Sequence, residues 1–332
     1  MTRIAFRPPS DDSAFAYPKG WFVACLSRDI KREQVVTRLF MGSELVLYRT
    51  QSGRVCATDP YCPHLGAHLG HGGTVEGEML VCPFHRFAFA PDGQCMRTGC
   101  GDKPPRAVVR SHQVLEWNEM ILVWYGQSAD EEPWPMVEID FTGYSSFKIG
   151  VHVQRGHLHN ILENTFDLAH YSSIHGWEVQ EIAPSVIDRH CLKTDLRVRM
   201  LGVTGAFHVE CHGLGCQIAA ADMRRLGLQL IVMTLPTQLC ASTWMYYDFM
   251  AIKVSWLSKL PHVVRQFVQF TIVSVLYDYW FVPQLTKDIN IWNARNYTSR
   301  PRLARSDVAI AVFRKWAARF YSPSESKSAI PS

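Results

Sequence analysis

The 332-residue sequence has little of what marks a secreted, membrane-spanning or nucleic-acid-binding protein. Its first residues, MTRIAFRPPSDDSAF, hold no apolar core and no small-residue cleavage site, so no secretory leader is expected and a reducing cytoplasm is. The most membrane-like run, Phe267 to Val282 (FVQFTIVSVLYDYWFV), is too short to span a bilayer and contains Asp278. A buried helix is expected there, with no transmembrane segment and with peripheral membrane contact as the lesser reading. Charged residues make up only 19% and the net charge is +4, with Lys and Arg scattered, so nucleic acid is not an expected partner. No G-x-G-x-x-G joins a strand pattern to a helix pattern, which excludes the usual dinucleotide site. Internal repeats are missing, and low complexity is confined to the tail SPSESKSAIPS.

What is present describes a globular chain. Apolar residues at 47%, over this length, suit two domains that each bury a core. Ten cysteines without regular spacing, in a chain able to build such cores, read as thiols and metal ligands and not as a disulfide framework. From Gly20 to about Tyr125, short runs such as WFVACL, ELVLYRT, RVCATD, EMLVCPF and MILVWY alternate with turn-prone residues, predicting an all-β module. QSADEEPWP (Gln127 to Pro135) reads as a domain edge. Beyond it, strand patterns from SSFKIGVHVQ to STWMYYDFMAI are followed by a long helical region from about His262 to Ala294 and a short helix from about Ser306 to Phe320, which predicts an α+β domain with an antiparallel sheet. The expected division is an extension at 1–17, a β domain at 18–128, a second domain at 129–322 and a frayed tail at 323–332.

The chemistry is concentrated in CPHLGAHLGHGGTVEGEMLVCPFH. Cys62-Pro-His64 and Cys82-Pro-Phe-His85 each supply one thiol and one imidazole, with seventeen residues between His64 and Cys82. A structural zinc remains open as a reading, although zinc knuckles usually contribute like pairs. A Rieske 2Fe–2S centre needs two cysteines on one iron and two histidines on the other, which one of each per loop delivers. The boxes resemble the C-x-H and C-x₂-H signature of Rieske proteins. Respiratory members carry a further cysteine in each box, where this chain has Ala67 and Phe84, so the resemblance is to the oxygenase type. His68 and His71 are expected to be loop residues near the cluster. Arg86 stands where many relatives have Gly, a position at which positive φ is freely available only to glycine.

A second motif lies in ENTFDLAHYSSIH. His159 to His175 is predicted to be helical, placing Asp167 and His170 on one face, with the helix ending or widening near Ser172. This stretch resembles the N/E-x₂-D-x₂-H-x₄-H element of Rieske non-haem iron oxygenases, matched by Asn164, Asp167, His170 and His175. The resemblance implies that His170 and His175 bind a mononuclear Fe(II). It also implies that Asp167 links His170 to the cluster ligand His85 of a neighbouring subunit. A late carboxylate is needed as third ligand, and Asp288 in LTKDINIWNARNY, followed by Ile-x-Ile-Trp in resemblance to the family's late helix, is chosen over Asp278, which sits inside an apolar run.

CPHLGAHLGHGG, DINIW and the terminal RKWAARFYS (Arg314 to Ser322) resemble the branch holding the cholesterol 7-desaturases and the 3-ketosteroid 9α-hydroxylases. That likeness implies a helix-grip catalytic domain, O₂ as co-substrate, NAD(P)H electrons from a separate reductase with a ferredoxin as an optional intermediary, and a homotrimer. A hydrophobic substrate is expected to be hydroxylated or desaturated, either sterol-like or polycyclic or an intermediate of a natural-product pathway. Phe166, Trp177, Phe207, Trp244, Tyr246, Tyr247, Phe249 and Trp256 are available for its pocket, with core packing as the alternative role. An electron carrier whose second domain does no catalysis is the rival from another class.

Overall fold

The computed structural model describes residues 17–126, 131–295, 298 and 300–321. The expected tail, nearly all of the expected N-terminal extension and the first residues of the acidic edge lie outside the described residues. The described residues form two compact units, one of Trp21–Pro133 and one that begins at Trp134 and also takes in Tyr17–Gly20.

Three small antiparallel sheets build the first unit. One joins Gly20–Leu26, Met120–Tyr125 and Val114–Trp117, and a second joins Val35–Phe40, Ser43–Arg49, Val55–Thr58 and Ser111–His112. The third, of Thr74–Glu76, Met79–Val81, Ala88–Phe89 and Cys95–Arg97, brackets the second ligand box. Inward residues of the second and third sheets, among them Val46, Tyr48, Leu80 and Phe89, form one core with Leu69 that also takes in Cys62 and Cys82.

The second unit is organised by an eight-stranded antiparallel sheet. Its order is Lys148–Arg155, Thr243–Val254, Leu228–Cys240, Gln217–Met223, Val203–His212, Cys191–Met200 and Glu178–Ile182, with Val186–Asp188 also pairing on Cys191–Met200. Along Cys191–Met200 the sequence DLRVRM buries Leu196, Val198 and Met200 and exposes Asp195, Arg197 and Arg199, the period-two pattern of a half-buried strand. Gln217–Met223 (QIAAADM) is a strand that sequence pattern missed, because alanine favours strands little and pairing on both sides supplies what propensity does not.

The expected single helix over His159–His175 is two short ones, α1 (His159–Asn164) and α2 (Leu168–Ser173). Asp167 is not inside a helix beside His170. It is the N-cap of α2, at φ −86° and ψ 92°, and its side chain accepts the backbone N–H of His170. The break lets Phe166 turn inward and stack on Phe313 of α5 (Val308–Ala317) at 5.1 Å. Arg314 of α5 forks onto both carboxylate oxygens of Glu163, so the RKWAARFYS stretch anchors the helix that ends in Asn164.

The long helical region is α3 (His262–Leu276), a π-helical turn (Tyr277–Phe281) and α4 (Val282–Ala294). Pro283, lacking an N–H, removes one bond from the ladder at the point where it widens. The expectation of a buried helix over Phe267–Val282 is corrected. Only Gln269 and Val273 of α3 are buried, facing the sheet, while in the single chain Val263 and Phe267 are 77% and 73% exposed. The run carries apolar residues on both faces of the helix, and the sheet covers one. Among the described residues no helix is long and apolar enough to cross a membrane.

Candidate metal centres

The two cysteine–histidine boxes form loops with the same backbone wiring. Cys62 N–H donates to the Ala67 carbonyl and Gly66 N–H to the Cys62 carbonyl; Cys82 N–H donates to Phe87 and Arg86 N–H to Cys82. Gly66 and Arg86 therefore hold equivalent positions, and both are left-handed, at φ 75° and 56°. The departure from glycine at Arg86 does not alter the loop: Arg86 adopts the unfavourable conformation and pairs its guanidinium with Glu76. Gly99 completes the fit, because a Cβ there would lie 2.3 Å from the His85 carbonyl oxygen.

Cys62 and Cys82 are buried, whereas His64 is exposed and His85 partly so. Burial pushes the Cys62 thiol up to about 11, opposed by the backbone N–H groups of His64 and Leu65 that point at its sulfur. Bound iron would deprotonate such a thiol, and those N–H groups would then stabilise the thiolate. The imidazoles stand together at the outer end, ring centroids 4.8 Å apart, with His64 stacked on Phe87 at 4.2 Å. Two inner thiols and two outer imidazoles fit a cluster with one thiolate-bound and one imidazole-bound iron. All ten cysteines are free, and the exposed Phe84 closes the second box without a bridging thiol. His68 faces Glu44 at 3.1 Å and stacks on His71 at 4.0 Å.

In the second unit, His170, His175 and Asp288 each offer a ligand atom, and all three atoms lie within 4.8 Å of one another. His175 Nε2 is 3.3 Å from an Asp288 oxygen. The outward nitrogens are occupied: His170 Nδ1 donates to the Asp167 carbonyl and His175 Nδ1 to Gln284 Oε1, tautomers assigned from these partners. Each ring then turns an unprotonated Nε2 inward, as metal-binding imidazoles require. Burial, the largest influence, draws His170 below its ordinary pKa and favours the neutral ring. Asn164 stands over the site, its amide 3.1 Å from His170 Nε2. Asp278, the competing carboxylate, is instead drawn away to Lys148 at 2.9 Å with its side chain half exposed. The donor set, two imidazoles and one carboxylate on one side, fits an iron with open positions.

These residues sit in the wall of a cavity of about 200 Å³. Of the aromatics named from sequence, Trp177 and Phe207 line it; Phe166, Trp244, Tyr246, Tyr247 and Phe249 are core, and Trp256 is exposed. Tyr171, Trp280, Phe281 and Gln284 were not anticipated. The only signal for Gln284 was its place four residues before Asp288, hence on the same helical face. Trp280 and Phe281 reach the cavity from the π-helical turn, which no periodic pattern foretells.

Comparison with known proteins agrees with this architecture. Residues 20–112 match the model of the Rieske 2Fe–2S domain, and residues 123–321 match that of the 3-ketosteroid 9alpha-hydroxylase C-terminal domain. The chain is 27% identical to cholesterol 7-desaturase of Bombyx mori over 329 residues, covering 92% of this chain and 70% of that protein. It is 28% identical to the Xenopus laevis cholesterol 7-desaturase, covering 92% and 72%. With the oxygenase component of 3-ketosteroid-9-alpha-monooxygenase of Rhodococcus rhodochrous it shares 24%, covering 95% and 86%. Dicamba monooxygenase bound to dicamba has the same fold, with a TM-score of 0.65 at 18% identity over 91% of this chain and 96% of that one. A Pseudomonas putida CBB5 NdmA variant with caffeine gives 0.69 at 17% identity, over 90% and 89%. Since the second of the two family models spans more than half of the sequence behind a Rieske domain, the chain belongs to the Rieske oxygenases, in the family defined by the 3-ketosteroid 9alpha-hydroxylase C-terminal domain.

Proposed function

We propose that this oxygenase hydroxylates or desaturates a hydrophobic, sterol-like or polycyclic substrate, using O₂ and NAD(P)H electrons delivered by a separate reductase, directly or through a ferredoxin. The observation that carries this reading is the convergence of His170, His175 and Asp288 in the wall of an aromatic-lined cavity. Cys62, His64, Cys82 and His85 hold the 2Fe–2S cluster, and His170, His175 and Asp288 hold the mononuclear iron. When bound, these groups supply electron relay and O₂ activation beside a substrate C–H bond. The rest is done by side chains. The Asp167 carbonyl and Gln284 fix the two imidazoles, the Asn164 amide offers a donor at the open face, and Trp177, Trp280 and Phe281 exclude water. Asp167 joins His85 of a neighbouring copy to His170 within a homotrimer. The Rieske domain is taken as 18–128 and the catalytic domain as 129–322. Ten free cysteines suit a cytoplasmic site of action.

Two of the relatives are named for cholesterol and a third for a 3-ketosteroid, which supports the sterol class. The cavity of about 200 Å³ lies below the usual ligand-site range of roughly 300–1,000 Å³. The test is turnover of sterols, ketosteroids and polycyclic terpenoids with a ferredoxin–reductase pair, following O₂ consumption and product mass. The expected product gains one oxygen atom or loses two hydrogens, and both product and O₂ consumption stop in Asp288→Ala. Equal O₂ consumption with and without Asp288 would overturn the assignment.

A further inference from the structure

Outside the residues given a role above lies a second cluster of metal-ligating side chains. Cys191 and His212 are register partners at the start and end of adjacent strands, and His190 occupies the turn that leads into Cys191. One ligand atom from each lies within 4.8 Å of the others. Cys191 and His212 are buried, and none of the three lines the cavity that holds His170, His175 and Asp288.

From this geometry we propose that His190, Cys191 and His212 bind a zinc-class divalent ion, through one thiolate and two imidazoles, independently of the iron centre. Three observations support it. First, His212 is oriented by a carboxylate: its Nε2 donates to Glu210 Oε2 at 3.0 Å, and Glu210 is itself held by Lys193 at 2.8 Å and His208 at 3.0 Å. The proton is thereby on Nε2, and Nδ1 presents its lone pair 3.2 Å from Cys191 Sγ. A carboxylate behind a ligating imidazole is the arrangement that fixes tautomer and raises basicity at zinc. Second, the separation suits the ion, since a sulfur and a nitrogen on tetrahedral zinc stand ~3.6 Å apart.

Third, the turns are built to hold these rings in place. Arg189 takes a left-handed φ of 50°, a costly conformation for a non-glycine, to present His190. The Gly213 N–H donates to the His190 carbonyl at 2.8 Å, tying the two turns together. Trp134 stacks on His190 at 4.8 Å with planes 9° apart, and Gly213 leaves room for it, because a Cβ there would lie 2.7 Å from the indole. The contrasting set Glu44, His68 and His71 lacks this logic. There the Gly70 N–H donates to His68 Nδ1, which leaves the proton on the Nε2 that faces Glu44, so the tautomer is wrong for binding at that atom. At Cys191 the step is a simple exchange, in which the thiol releases its proton as the S–metal bond forms.

The experiment loads the iron-replete holoenzyme with Zn²⁺, removes loose metal by gel filtration, and reads zinc content together with zinc K-edge absorption. The expected result is about one zinc per chain, with one sulfur at about 2.3 Å and nitrogens at about 2.0 Å in its shell. Cys191→Ser should lose this zinc, and so should His190→Asn, whose position on a half-buried turn keeps the fold intact should Cys191→Ser fail to fold. Asp288→Ala should retain it. A zinc shell without sulfur, equal zinc in the wild type and both variants, or loss of the zinc in Asp288→Ala would overturn the proposal.

Discussion

The two metal-ligand sets are held by opposite means. Each Rieske box is a closed loop whose backbone bonds run between residues four and five apart, so that Cys62–Ala67 and Cys82–Phe87 are shaped almost entirely by themselves. The iron triad takes His170 from α2, His175 from the turn that follows it and Asp288 from α4, and its rings are aimed by a carbonyl at the break before α2 and by Gln284. Local wiring makes the first set sturdy and readable. Dependence on packing makes the second adjustable, because the same elements also wall the cavity.

The sharpest break in this contrast is Cys82→Ser. It should abolish the visible spectrum of the reduced and oxidised cluster, and with it all reductase-driven turnover, while leaving about one iron per chain at the triad, measurable by metal analysis. Next comes Asp167→Asn. Asparagine caps helices as well as aspartate does, so α2 and both metal centres should persist, with turnover nearly lost; normal turnover would remove Asp167 from the relay. Gln284→Leu should keep the fold and the cluster but weaken iron binding by about 10–100-fold, seen in a chelator competition, because His175 loses the partner that holds its tautomer. The smallest effect belongs to Arg86→Gly. It should relieve about 1 kcal/mol of left-handed backbone cost and raise the thermal midpoint slightly, with the cluster spectrum unchanged.

The same contrast explains what could be read in advance. The boxes and the long strands were legible because loops with fixed spacing and period-two burial leave direct marks, as LRVRM does. The break at Thr165–Asp167 was not, since His159–His175 has helical spacing throughout and the decision falls to the stacking of Phe166 on Phe313, far along the chain. Asp288 could be named only by resemblance to a family. In the fold its buried place beside His175, and the diversion of Asp278 to Lys148, distinguish the two carboxylates physically. Gln284, Trp280 and Phe281 are fixed by tertiary packing and a π-helical turn, which a single sequence does not display. The outer face of α3 misled because apolar residues there, Val263 and Phe267 above all, stay largely exposed in the single chain.

The most direct test of two separately held metal centres is an iron count on anaerobically reconstituted protein, with the cluster signal recorded on the same samples. Wild type should hold about three irons per chain and Asp288→Ala about two, both with the full Rieske signal. An unchanged count in Asp288→Ala, or a loss of the Rieske signal together with the third iron, would contradict it.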